Sequence, residues 1–221
     1  LGVVFVDYDN DGDADLYVAN DSTRNFLYTN NGQGSFIDDA LIVGTGFNKD
    51  GQVEGGMGVD AGDYDGDGTL DIVVTNLDLE TNTLYRGFDT NSFTDATFEA
   101  GLSAPSFMSV GFGTNWIDVN NDGALDLFVA NGHVNDLAAQ LRQGTTYRQP
   151  NHLYLNVGDG LLDVKHAHLS SNPEGAKVSR GSAVADLDED GDLDIVVSNN
   201  NQPADYLRNE GGNRAGAFIQ L

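Results

Sequence analysis

Cysteine is absent from the 221 residues, so neither disulfides nor thiolate metal sites are available. Basic residues are scarce: 10 Lys and Arg stand against 35 Asp and Glu, a formal net charge of −25. Phosphate contacts need a basic face, which argues against nucleic acid as a partner and, in the same way, against anionic membrane surfaces. No apolar run is long enough to span a bilayer, so no membrane insertion is expected. There is no G-x-S-x-G elbow to seat a hydrolase serine, and no glycine-rich phosphate loop followed by Lys. Nor is there an initiating Met or a visible signal peptide. The sequence opens at Leu1, inside a repeat, and the expectation is a processed protein or a piece of a longer one.

What the chain has in abundance is Asp, and most of it falls into one pattern, D-x-[DN]-x-D-G-x-x-D. The first copy carries Asp7, Asp9, Asp11, Asp13 and Asp15; the second Asp63, Asp65, Asp67, Thr69 and Asp71. The third carries Asp118, Asn120, Asp122, Ala124 and Asp126; the fourth Asp186, Asp188, Asp190, Asp192 and Asp194. Oxygen donors at positions one, three, five and nine suit a hard cation, and calcium tolerates the flexible distances that such a loop offers. Magnesium is disfavoured, because it demands octahedral geometry and keeps its waters. Gly at position six allows a sharp turn. Position seven is Asp13, Thr69, Ala124 or Asp192, so its backbone carbonyl is the expected donor there. Two like charges 4 Å apart cost about 4 kcal/mol at an effective dielectric of 20, so a filled loop is favoured over an empty one. The competing reading is a plain Asp-Gly hairpin turn without an ion, and fourfold repetition of the donor positions weighs against it. About four Ca2+ ions are expected, one per loop.

The flanks distinguish these loops from helix-entering calcium loops. Leu16–Asn20, Ile72–Asn76, Leu127–Asn131 and Ile195–Asn199 are short β-branched and aromatic runs that read as strands. A strand also precedes each loop, with Gly2, Gly58, Gly113 or Gly181 five residues before the first Asp. Successive loops start 56, 55 and 68 residues apart, a period that points to a propeller or similar array. The expected fold is an all-β β-propeller of four four-stranded antiparallel blades, part of a larger ring of about seven. The blades are placed at 1–56, 57–111, 112–179 with an insertion at 132–150, and 180–221, within one propeller region. In the first, a fourth strand is expected around 36–43; in the last, Ala217–Leu221 should be the final strand. The insertion is expected to hold a short helix over 136–143.

Taken together, the loops and flanking strands resemble FG-GAP/VCBS-type repeats, whose calcium loops sit on integrin-like β-propellers. Three stretches resemble more closely the branch of cartilage acidic protein and ASPIC/UnbV-type secreted proteins: 131–134, 147–156 and 179–209. The resemblance implies calcium in each loop, export from the cytoplasm, longer relatives with more blades, and no known reaction. Asn120 departs from the pattern, removing one charge and predicting a weaker third site.

Other chemistry was weighed. His166 and His168 could share one strand face and ligate a transition metal, against a plain exposed edge. His152 falls at a variable, solvent-facing position. His133 opens the insertion, where pinning the loop is preferred over lining a pocket. Glu54, Glu80, Glu99, Glu174 and Glu210 are scattered without an evident partner, and Asp committed to calcium is a poor general acid. Trp116, Phe5, Phe112 and Phe128 are expected in the core between blades. The function expected is an exported calcium-binding propeller, extracellular, periplasmic or at the cell surface. It would act as a non-catalytic adhesion, scaffold or protein-interaction module, within a larger extracellular assembly. The alternatives are a glycan-binding, lectin-like propeller or a polysaccharide-acting enzyme on a propeller frame.

Overall fold

Each Asp-rich loop joins two antiparallel strands, and each hairpin is extended by two further strands. The computed structural model describes residues 1–89, 91–158, 160–165, 176–210 and 218–220. The first blade comprises β1 (Gly2–Val6), β2 (Asp15–Ala19), β3 (Phe26–Asn30) and β4 (Phe36–Asp38). The second has β5 (Val59–Gly62), β6 (Asp71–Val74), β7 (Thr83–Asp89) and β8 (Ser92–Asp95). The third has β9 (Gly111–Ile117), β10 (Asp126–Asn131), β11 (His152–Asn156) and β12 (Leu162–Lys165). The fourth has β13 (Ser179–Ala185), β14 (Asp194–Asn199), β15 (Gln202–Asn209) and β16 (Phe218–Gln220). Strands follow chain order in every blade. The expected all-β propeller arrangement of four-stranded antiparallel blades is therefore found. β16 pairs Leu207 with Gln220 and so completes blade four; residues 217 and 221, also expected in that strand, lie outside the described residues.

The core lies between the blades, and period-two alternation assigns each side chain to one interface or the next. In β6, Ile72 and Val74 join the cluster with Tyr17, Leu27 and Tyr85, between blades one and two. Val73, between them, faces the opposite cluster with Leu84, Trp116 and Tyr154. β10 repeats this: Leu127 and Val129 face blade two, while Phe128 and Ala130 meet Ile195, Val197 and Leu207 of blade four. Each fully buried large side chain stabilises the fold by about 1.5–3 kcal/mol.

Two expected elements differ. The strand placed over 36–43 ends at Asp38, and α1 (Ala40–Val43) follows as one helical turn. Ala40 and Val43, three apart, both reach the core, and Gly44 at φ 94 closes the turn in the left-handed region. The helix in the insertion, α3 (Ala138–Leu141), is shorter than expected; a further helical turn, α2 (Ser103–Ser106), lies between blades two and three.

The glycine five residues before each loop marks where neighbouring innermost strands meet backbone to backbone. A Cβ on Gly58 would lie 1.8 Å from the Phe112 carbonyl oxygen of blade three. One on Gly113 would lie 2.4 Å from the Ser182 amide nitrogen of blade four. At Gly181 the nearest atom is Ser198 Oγ of its own blade, at 3.1 Å. The innermost strands pack β1 on β5, β5 on β9 and β9 on β13; among the described residues no comparable contact returns from β13 to β1. Phe5, expected in the core, is instead 64% exposed beside exposed Val3, because alternate β1 residues point away from blade two. Gly58→Ala is therefore expected to destabilise the chain by about 3 kcal/mol in chemical denaturation, and Gly181→Ala by well under 1 kcal/mol.

Candidate functional site

The four loops share one hydrogen-bond plan. The position-one carboxylate accepts the N–H groups of positions five and six: Asp7 from Asp11 (3.1 Å) and Gly12 (3.0 Å). Asp63, Asp118 and Asp186 accept the corresponding pairs. The position-five carboxylate accepts the N–H of position seven, at 2.9–3.0 Å in every loop. The turn needs two left-handed residues. One is the glycine at position six, with φ between 89 and 94 (Gly12, Gly68, Gly123, Gly191). The other is position four, filled by Asn10, Gly66, Asn121 and Glu189, with φ from 55 to 73. Asn and Gly tolerate that region; Glu189 is strained there.

Position nine behaves differently. Asp15, Asp71, Asp126 and Asp194 are fully buried at the start of the second strand of each blade. Each accepts one N–H from position two and one from the third strand. For Asp126 these come from Val119 at 3.1 Å and Asn156 at 2.7 Å; for Asp71, from Tyr64 and Gly87, both at 2.9 Å. One carboxylate thus ties the loop to two strands. Burial pushes the Asp71 carboxyl up to about 7 and that of Asp126 up to about 6, against the amide bonds that favour their charged forms.

The donor set is entirely oxygen. Carboxylate oxygens of Asp7, Asp9 and Asp15 lie within 4.8 Å of one another, as do those of Asp63, Asp65 and Asp71, and of Asp186, Asp188 and Asp190. These residues fit a hard cation. Loop three is not among these groups: Asn120 stands at position three, accepting the Asp122 N–H at 3.0 Å and donating to its carboxylate at 2.8 Å. Asn121 bonds Asp192 Oδ1 at 2.5 Å, linking loops three and four.

Elsewhere, His152 is buried, not solvent-facing. It lies opposite Val129 on β10, with Nδ1 3.1 Å from the Tyr154 hydroxyl. His133 pins the insertion: its Nδ1 accepts the Asn135 N–H at 2.9 Å, and its Nε2 is 3.4 Å from Asp78, which also pairs with Arg142. Trp116 stacks on Tyr64 and Phe128 is buried, as expected; Phe112 lies under the Arg180 guanidinium. His166, His168 and Glu174 lie outside the described residues.

A second feature was not legible in the motif. Glu54 and Glu80, far apart in sequence, line one groove of about 530 Å³ between blades one and two, with Asn48, Gln52, Phe98 and Phe107. Glu54 accepts from Thr83 Oγ1 at 2.6 Å and Asn48 at 3.1 Å, while Glu80 accepts the Gly55 N–H at 2.8 Å. Leu79 lines it with φ 68, unusual for a bulky residue. Burial pushes the Glu54 carboxyl up to about 6 despite the Thr83 and Asn48 bonds, and Glu80 adds to the rise.

A sequence profile describing FG-GAP-like repeats matches residues 7–74, 63–129 and 118–197. The chain belongs to the FG-GAP-like repeat family. Each matched unit runs from one Asp-rich loop past the next, so the sequence repeat is offset from the structural blade. Cartilage acidic protein 1 of Xenopus tropicalis is 30% identical over 208 residues, covering 90% of this chain and 28% of that protein. The human protein of that name is 29% identical over 206 residues, covering 91% and 28%. The chain therefore spans under a third of the length of these relatives. A solved Agrocybe aegerita lectin, whose title describes recognition of non-reducing terminal N-acetylglucosamine, aligns with TM-score 0.40 and 18% identity, over 99% of this chain and 65% of the lectin.

Two predictions follow from this geometry. Asp126→Asn puts an amide N–H against a backbone N–H, so it should cost about 2 kcal/mol of stability even in excess chelator, whereas Asp122→Asn in chelator should cost little, as urea denaturation can check. The raised Glu54 carboxyl contributes stability that is complete below its unfolded value near 4.3 and is lost as pH rises through about 6. Between pH 5 and 7, Glu54→Gln should flatten part of the fall in melting temperature; an unchanged slope would contradict that assignment.

Proposed function

We propose that this FG-GAP chain is an exported, calcium-binding β-propeller module with a non-catalytic role in adhesion, scaffolding or protein interaction. The calcium ions are structural, one in each inter-strand loop. The observation carrying this reading is the convergence of three carboxylates with oxygens within 4.8 Å of one another in three of four equivalent turns, the buried position-nine Asp being one of the three in loops one and two. A divalent cation would offset the repulsion within each cluster, including the charge on the buried position-nine carboxylate in loops one and two. Loop three, with Asn120, would be the weakest site. Export agrees with this chemistry, since sites of modest affinity fill at extracellular calcium concentrations. Among the described residues β13 does not pack on β1 as the other innermost strands pack on one another, which favours further blades completing a larger ring of about seven.

The protein-binding surface proposed is the insertion over 132–150. Val134, Leu137 and Leu141 are 57%, 48% and 71% exposed on it, while His133, Gln149 and Arg180 hold its base. A second reading, a saccharide site, is favoured by the groove between blades one and two. There Phe98 (69% exposed) and Phe107 (43% exposed) supply apolar faces beside Asn48, Gln52 and Glu54.

Differential scanning calorimetry with and without chelator tests the calcium reading. Removal of calcium should lower the melting temperature by at least 10 °C; an unchanged melt would defeat it. A glycan array probed with calcium-loaded protein separates the two binding readings. Signal that disappears in Phe98→Ala supports the saccharide site, whereas a blank array leaves the insertion as the proposed surface.

A further inference from the structure

Loops two and four each carry a cation of their own. Arg86 of β7 brings Nε to 2.5 Å from Asp65 Oδ2 and one terminal nitrogen to 3.2 Å from Asp67 Oδ2. Arg208 of β15 repeats the arrangement, pairing through Nε with Asp188 and reaching to 4.0 Å from Asp190 Oδ2. Both contacts fall on positions three and five of the loop. Both arginines also hold one register position: each directly precedes the residue whose N–H reaches the position-nine carboxylate, Gly87 or Asn209. In blades one and three that slot is Thr29 or Leu155. Thr29 bonds the Tyr8 hydroxyl at 3.0 Å, and Leu155 packs on the third core cluster. Among the described residues, the blades therefore alternate between loops that meet an arginine and loops that do not.

The quality of the contact matters as much as its position. Both Nε atoms are shielded from solvent and lack an aligned hydrogen bond, although a carboxylate oxygen stands beside each. Arg86 donates one hydrogen bond, from a terminal nitrogen to Asp67 at 3.2 Å, and Arg208 also pairs with Glu210 at 2.8 Å, but neither forms the paired fork on one loop carboxylate that makes arginine–carboxylate contacts strong. The two side chains remain 42% and 33% exposed, so each has a route into water. A divalent ion entering the loop needs the same oxygens that the guanidinium faces.

We propose that Arg86 and Arg208 are tethered counter-ions, making loops two and four a second class of calcium site in which the ion competes with a guanidinium. Loops one and three take calcium without that competitor. The inference rests on the calcium reading above and goes beyond it by assigning a role to two residues outside the loops. In low calcium the arginines offset part of the carboxylate repulsion, so blades two and four tolerate empty loops better than blades one and three. As calcium rises, the guanidiniums swing outward and present two positive charges on an otherwise acidic surface.

The test is calcium titration of the whole chain by isothermal calorimetry, with terbium luminescence as a second readout. Arg86→Gln and Arg208→Gln keep much of the side-chain length and remove the charge. Each should tighten one site by about fivefold, in keeping with a half-exposed ion pair. Arg86→Lys, which keeps the charge, should stay near the wild type. In chelator the double glutamine variant should melt below the wild type; in saturating calcium that deficit should vanish. Calcium affinities that are unchanged or weaker in folded glutamine variants would overturn the proposal while leaving calcium binding intact. A wild-type chain that takes up no calcium would overturn both.

Discussion

Three to five Asp carboxylates gathered at a strand turn repel one another, and the rest of the architecture has to answer that repulsion. The loops do so in layers. Backbone N–H groups of the turn itself point at positions one and five, supplying partial positive charge without any side chain. Position nine is withdrawn into the blade and held by two amides from different strands. In two of the loops an arginine adds a full charge. What remains is a cluster of oxygens at positions one, three and nine in loops one and two, and at positions one, three and five in loop four. A hard cation is the economical way to neutralise such a cluster, because its charge density matches several carboxylates at once.

The same turn sets the geometry between blades. Because the loop fixes the register of the first two strands, it decides which side chains of the second strand face each neighbour. Ile72 and Val74 on one side and Val73 on the other follow from the single pairing of Gly62 with Asp71. A slip of one residue would exchange the two clusters and bury the wrong set. The innermost strands then approach closely enough that Gly58 and Gly113 have no room for a side chain. Asp-rich loop, register and inter-blade glycine are thus one constraint seen at three distances.

Periodicity, the four loops, the strands around them and the glycine five residues upstream were legible in the sequence, because repetition exposes what a single copy hides. The left-handed residue at position four was not, since Glu189 holds in loop four the place that Asn10, Gly66 and Asn121 hold in the others, and only their common φ unites all four. Residues whose roles depend on which blades adjoin were also hidden. Glu54 and Glu80 meet across a groove that spacing does not reveal, and His152 is buried in a slot that Phe26 and Thr83 also hold half-buried or buried, whatever the polarity of the residue suggests. Phe5 failed the other way: its pattern is that of a core residue, but no described blade lies on its side of β1.

Separating position nine from the outer donors also explains the uneven chemistry of the four loops. Asn120 and Ala124 depart from the acidic pattern at positions three and seven of loop three, yet that loop keeps its fold, because its turn depends on Asp118, Asp122 and backbone N–H groups. Its buried Asp126 is an Asp in all four copies, since two strands hang from that carboxylate whether or not an ion is bound. The outer positions are therefore free to differ in affinity from blade to blade without altering the blade. Loop one has an Asp at all five odd positions and, among the described residues, meets no arginine; loop three lacks two of those carboxylates; loops two and four each face an arginine. On the calcium reading proposed above, a single scaffold can in this way present graded cation sites while its hydrophobic interfaces stay constant.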